Sequence, residues 1–216
     1  MRVIAYVEGA SDKLGMEALL RPLIEEKRQA GVDIQFFESP KGDRKTSVLT
    51  KVPIRAANIL LNDPYAVVVA LPDLYPRNKP FPHETVDELT RGVAENFRNA
   101  LRQKRVGNPA ELESRFQVFC FKYDVEVLLL AAEEGLRRRL GISSITPQWR
   151  TPVEDQDHDR PPRRIVEQLF REHGTKYEET YDLPLIVGTA DYQELAERCP
   201  QCFGPFVRFL TQLQGS

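Results

Sequence analysis

Glu8, Asp12, Asp73, Asp124 and Glu126 are the residues of this chain whose type and placement suit chemistry. Each follows a short apolar run: Val3–Val7 before Glu8 and Asp12, Tyr65–Leu71 before Asp73, and Phe116–Phe121 before Asp124 and Glu126. Runs apolar on both faces read as strands covered on both sides of a sheet. In open α/β sheets, ligands and reactive groups gather in the crevice beyond the carboxyl ends of the strands. Carboxylates converging there suit Mg²⁺ or Mn²⁺, hard cations that take oxygen ligands and keep several waters. Two such ions can clamp a phosphodiester, one sharpening a water and the other steadying the leaving oxygen. A plainer reading stands beside this one: an acid at a strand end is solvated, and Asp12 serves only as a helix cap.

The elements that must position these acids follow from pattern and punctuation. Gly9 permits a tight turn into a helix expected over about Asp12 to Ala30, which ends at Gly31. Val32 to Phe37 reads as a strand, the polar 39–45 segment as a loop, and about Thr46 to Leu61 as a helix stopped by Asn62-Asp63-Pro64. Helical spacing covers His83 to Lys104 in Val86, Leu89, Val93, Phe97 and Leu101, and a further helix is expected over Val127 to Leu140. Strands alternating with helices predict parallel pairing through right-handed crossovers. The expected fold class is therefore α/β, a mainly parallel sheet flanked by helices, occupying residues 1–141. Residues 142–216 are expected to form a helical C-terminal extension packed on that core. It opens with the polar Pro147–Pro162 stretch and continues with helices at about Pro162–His173, Asp191–Arg198 and Phe203–Leu213.

Composition narrows the class. A chain of 216 residues, 41% apolar, can fill a complete core. No run reaches the roughly 18 apolar residues needed to span a membrane. Met1-Arg2 leads directly into the first strand, so no signal peptide is expected, and an odd set of three cysteines fits a reduced, cytoplasmic setting. A net charge of −2 excludes a global field for nucleic acid but leaves local basic patches open.

Several other groups have a plain structural role open to them beside a chemical one. Cys199 and Cys202 have zinc-ribbon spacing, but a structural zinc needs four ligands and no second pair exists, so two plain thiols are expected. His83 follows the proline-rich loop after Asp73 and is either a general acid or base or a surface residue. His158 lies among Asp155, Asp157 and Asp159 in what reads as a solvated loop. The Lys41–Lys45 loop lacks the Walker A pattern, though it precedes a helix N-terminus where a phosphate can bind. Arg137, Arg138 and Arg139, with Arg163 and Arg164, are the best basic patches for a nucleic-acid backbone; arginines late in a helix also answer its dipole. Lys122 is the cation expected to face the acids and to neutralise transition-state charge.

VEGASD (7–12) after the first strand and LPDLYP (71–76) after a buried strand resemble the two signature segments of the Toprim fold. Over nearly its full length the chain is similar to a bacterial family catalogued as DUF4276, with a Toprim-like core related to that of OLD-type (overcoming-lysogenization-defect) nucleases. FKYDVEVLLLA (121–131) and ERCPQCFGPFVRFL (197–210) look like its later landmarks. The resemblance implies a Mg²⁺- or Mn²⁺-dependent nuclease acting on DNA or RNA, with Glu8 and Asp73 as core ligands and Asp12 also serving a metal. One departure is plain: the Asp-x-Asp slot reads Asp73-Leu74-Tyr75, so its second aspartate is absent and Asp124 or Glu126 would have to replace it. The resemblance also implies an alternative, a non-catalytic subunit that binds and regulates an ABC-type ATPase partner, as in defence modules against phage.

Overall fold

The computed structural model of the protein describes residues 1–146 and 149–215. Pro147, with which the expected polar stretch begins, lies outside the described residues, as do Gln148 and Ser216. β1 (Arg2–Val7) leads into α1 (Ala10–Leu19) and α2 (Arg21–Gln29), then β2 (Asp33–Glu38). α3 (Arg44–Thr46) passes through a π turn (Ser47–Lys51) into α4 (Val52–Asn62), which is followed by β3 (Ala66–Leu71). α5 (Val86–Gln103) and α6 (Pro109–Ser114) precede β4 (Phe116–Val118), and α7 (Val127–Ala131) precedes α8 (Glu133–Leu140). After a 3₁₀ turn at Val153–Asp155 come α9 (Pro162–Glu172), α10 (Glu179–Val187), α11 (Tyr192–Arg198) and α12 (Phe203–Gln212).

The four strands pair in the order β2-β1-β3-β4, every pair parallel. Alternation along β1 and β3 sends side chains to opposite faces. Ile4, Tyr6, Val68 and Ala70 pack with α4 and α5 on one side. Val3, Ala5, Val7, Val67, Val69 and Leu71 pack on the other with residues of α1, α2, α7, α9, α10 and α12. That second cluster joins residues of the first strand to residues as late as Leu210. Among the described residues, no helix is long and apolar enough to cross a membrane.

The structure corrects several boundaries. The helix expected over Asp12 to Ala30 breaks at Leu20, because Pro22 in the first turn of α2 cannot donate a backbone hydrogen bond to the turn before it. The helix expected over Val127 to Leu140 divides at Ala132, whose ψ of 48° is not helical. Regular strand geometry ends at Val118, yet parallel pairing continues: Phe119 and Phe121 donate to Ala70 and Pro72 at 3.0 Å each. The helix expected from His83 starts at Val86, since Thr85 caps it and accepts the Glu88 N–H at 3.2 Å.

α10 was not anticipated. Its Leu-Pro-Leu-Ile-Val run shows no helical alternation and contains Pro184, but it packs along α1 more extensively than any other helix pair. Gly15 makes this possible, because a Cβ there would lie 2.9 Å from Leu183 Cδ2. At the other side of α10, Asp182 is fully buried and accepts from Arg139 Nε at 2.5 Å and from the Glu178 N–H at 2.6 Å.

Two expectations follow for this contact. Leu183→Ala should cost about 3 kcal/mol in urea unfolding, and Gly15→Ala about 1–2 kcal/mol. The double variant should cost less than the two together, because the added methyl fills part of the space left by leucine. Additive losses would show that the two residues are not in contact.

Candidate functional site

Parallel pairing of β1 with β3 sets Val7 opposite Leu71, so Glu8 and Asp73 leave the sheet side by side. The Asp73 N–H donates to Glu8 Oε1 at 3.1 Å. A parallel bridge between Asp73 and Phe121 then brings the third strand end alongside, held by Leu74 N–H to Phe121 O at 2.9 Å and Tyr75 N–H to Tyr123 O at 2.6 Å. Tyr123 has a φ of 79°, and the chain turns there to deliver Asp124 and Glu126 inward, 5% and 1% exposed.

Helix N-termini meet these acids. Asp12 lies in the first turn of α1, where its Oδ2 accepts the Gly9 N–H at 3.1 Å. Both oxygens of Asp124 accept the Arg163 N–H at the start of α9, at 3.2 and 3.3 Å. Glu179, in the first turn of α10, accepts from Ser11 Oγ at 2.5 Å, and the same hydroxyl lies 3.1 Å from Asp12 Oδ1. The Ser11 hydroxyl, which has a single proton, thus stands between two carboxylates. Glu126 Oε1 accepts from the Tyr177 hydroxyl at 3.3 Å. Partial positive charge at three helix starts favours the negative charge gathered here.

Two cations stand among the acids. Lys45, 4% exposed, donates from Nζ to the backbone oxygen of Asp73. Arg163 reaches Glu179 Oε2 at 3.1 Å, Glu167 Oε1 at 3.1 Å and Glu126 Oε1 at 3.9 Å. Arg44 lies at the rim beside Gly9 and Asp12.

Six carboxylates thus answer to few cations, and burial makes ionisation costly. Burial lifts Glu8 to about 7, with Asp12 adding to the rise and Lys45 opposing it. Asp12 is raised to about 6 by burial, against the Gly9 N–H. Asp124 is lifted by burial to about 7, against the Arg163 N–H. Asp73 stands well above the ordinary carboxylate range, first through burial and then through repulsion from Glu8, Asp12, Asp124 and Glu126. Glu126 is pushed well up by burial and by Asp124. Lys45 is lowered by burial, against the pull of Glu8 and Asp73.

The donor chemistry fits a hard divalent cation: carboxylate oxygens only, with Asp73 Oδ1 buried and without a hydrogen-bond partner. Among the described residues no three His, Cys, Asp or Glu side chains stand as a ready metal cage. A cation would therefore have to draw the carboxylates together and away from Arg163.

Five acids named from the sequence are brought into this one cluster. Glu179 and Lys45 are the members that sequence reasoning missed. Lys122 was expected to face the acids, but its Nζ bonds Asp155 Oδ1 at 3.1 Å and Gln201 Oε1 at 2.5 Å. Of the basic patches, Arg163 stands in the cluster. Arg137 bonds Ser143 O, Arg138 pairs with Glu134, and Arg164 bonds Asp159 O. His83 is 1% exposed, with Nδ1 2.8 Å from Phe81 O and Nε2 without a partner. His158 packs edge-on against Tyr123. Cys120, Cys199 and Cys202 are free and buried, with Cys120 Sγ 3.5 Å from Cys202 Sγ.

The raised carboxylates have a signed consequence. Their folded-state values lie above those of the unfolded chain, so the folded state binds the extra protons. This stabilisation is complete below the unfolded values near 4 and is lost as pH rises through about 6 to 7. The metal-free protein should melt several degrees lower at about pH 7.5 than at about pH 5, and Glu8→Gln should flatten that slope. A melting temperature that rises over the same interval would overturn the assignment.

No curated protein matches the chain. Among solved structures, the C-terminal region of the Burkholderia pseudomallei OLD protein is similar at 17% identity and a TM-score of 0.47, over 97% of this chain and 96% of that one. A family profile described as "Domain of unknown function (DUF4276)" matches residues 7–212. With nearly its whole length matched, the chain belongs to the DUF4276 family.

Proposed function

We propose that the protein is a Toprim-type, Mg²⁺- or Mn²⁺-dependent phosphodiesterase that hydrolyses DNA or RNA. The observation that carries this reading is the gathering of Glu8, Asp12, Asp73, Asp124, Glu126 and Glu179 at the carboxyl ends of parallel strands. Glu8 and Asp73 would hold the metal, with Asp12 and with Asp124 or Glu126 completing the set. Bound there, a divalent ion supplies Lewis-acid charge and lowers the pKa of a water. Arg163 is half exposed at the solvent side of the cluster, and its planar fork suits a phosphate. It takes the charge-neutralising role first assigned to Lys122. Arg164, Arg137 and Arg138 would contribute more distant backbone contacts. The three free, buried thiols support a reducing, cytoplasmic setting.

A second reading is a non-catalytic subunit that binds and regulates an ABC-type ATPase. It is favoured by Lys45 and Arg163 standing among the acids and by Tyr75 in the place of a carboxylate.

The discriminating experiment assays Mn²⁺-dependent cleavage of single- and double-stranded DNA and RNA. Glu8→Ala and Asp73→Ala should each lower the rate at least about 10²–10³-fold while circular dichroism stays unchanged. Cleavage that persists in both variants would sink the nuclease. A wild type inert even at high Mn²⁺, yet co-purifying with an ATPase, would establish the second reading.

A further inference from the structure

Cys120 and Cys202 stand 82 residues apart in sequence, yet their sulfurs are in contact at 3.5 Å. Each is placed by its own backbone rather than by the other. Cys120 lies between Phe119 and Phe121, whose N–H groups bond Ala70 O and Pro72 O at 3.0 Å each. Cys202 caps α12, and its N–H donates to Glu154 Oε1 at 2.9 Å while the Gln201 N–H donates to Oε2 at 2.6 Å. Glu154 is itself fully buried. Lys122 bonds both Asp155 and Gln201, which ties the same turn to the strand end that carries Cys120.

The third thiol stands apart. Cys120 and Cys202 belong to the apolar cluster shared with α4 and α5, whereas Cys199 packs in the cluster on the opposite face of the sheet. Spacing alone would pair Cys199 with Cys202, because the two residues between them make the shortest loop. The fold instead aims Cys202 at Cys120. A disulfide bond is about 2.0 Å long, so from 3.5 Å the sulfurs must approach by about 1.5 Å. Cys202 is 4% exposed and follows the exposed Gln201, against 1% for Cys120. It is the sulfur of the pair that a water-sized oxidant meets first.

We propose that Cys120 and Cys202 are a peroxide-responsive thiol pair that closes to a disulfide and clamps α12 to the strand end beside Asp73. The Cys202 sulfur takes one oxygen from hydrogen peroxide, giving a sulfenic acid and releasing water. The Cys120 sulfur then attacks the sulfenic sulfur; the S–O bond breaks, and hydroxide leaves with the thiol proton as a second water. Two thiols and one peroxide thus give one disulfide and two waters, the sulfurs oxidised and the peroxide oxygens reduced. A thiol reductant reverses the change, and a reducing cytoplasm keeps the pair open until peroxide rises. Cys120 lies close enough to Asp73 and Lys45 for their charges to be felt at its sulfur, so the clamp closes at the edge of the candidate site. It holds whether or not the acids take a metal.

The test treats the folded full chain with hydrogen peroxide, alkylates the remaining thiols under denaturing conditions, and reads the intact mass and the cross-linked peptides. The wild type should lose about 2 Da, keep Cys199 alone open to alkylation, and yield peptides joined through Cys120 and Cys202. A reductant should restore all three thiols. Cys199→Ser should still close the bond, and the oxidised protein should melt several degrees above the reduced one, since the bond closes a long loop. A bond between Cys199 and Cys202 in the folded chain would overturn the proposal. So would oxygen added at Cys202 without a bond, or three thiols left free. An oxidised protein that melts no higher would overturn the clamp. Should Cys199→Ser fail to fold, the peptides from the wild type decide alone.

Discussion

The Asp73 N–H reaches the Glu8 carboxylate because β1 and β3 pair in parallel with Val7 opposite Leu71. That register forces two acids into one crevice, and the parallel bridge at Phe121 adds two more. Like charges in a partly dry crevice repel, so the surrounding structure must answer the repulsion. It does so in three ways. The starts of α1 and α9 point backbone N–H groups at Asp12 and Asp124, and the Ser11 hydroxyl reaches Glu179. Lys45 and Arg163 supply positive charge. Protons answer the rest: burial lifts Glu8 and Asp124 to about 7.

Packing and electrostatics are joined at α10. Leu183 seats on Gly15 and Asp182 anchors Arg139, and the same helix carries Glu179 to the Ser11 hydroxyl. The close approach of two backbones thus sets the position of a charged group at the helix start. The apolar cluster on this face includes residues from the first strand and from α9, α10 and α12 alike. These late helices cover one side of the sheet directly.

Much of this arrangement was legible in the sequence. The two-sided apolar runs at Val3–Val7 and Tyr65–Leu71 read as buried strands, and parallel pairing of neighbours would bring the acids immediately after them to one edge. Parallel order followed from the alternation of strands and helices. Glu179 was not legible, because the Leu183–Val187 segment is apolar without helical alternation and Pro184 argues against a helix. Its contact with Ser11 spans 168 residues, which no local pattern encodes. Lys45 was hidden in a loop whose charges look solvent-bound, and only Asp43 and Lys79 show why it turns inward. Lys122 looked well placed by adjacency, but Asp155 and Gln201 capture it. The break at Leu20 was foreshadowed by Pro22, and continuous helical periodicity concealed it.

The span between Ser11 and Glu179 bears on how the protein is made. A chain emerging from the ribosome forms local helices early, whereas contacts between distant segments wait for both to appear. β1, β2 and β3 can pair and present Asp73 once residue 73 is out, and at that stage the crevice holds Glu8, Asp12 and Asp73 without Asp124, Glu126, Arg163 or Glu179. The ring of acids closes only after α10 has cleared the tunnel and docked on α1. Until then the nascent chain carries a fragment of the site, and any activity that requires the full set is withheld until that late helix is in place.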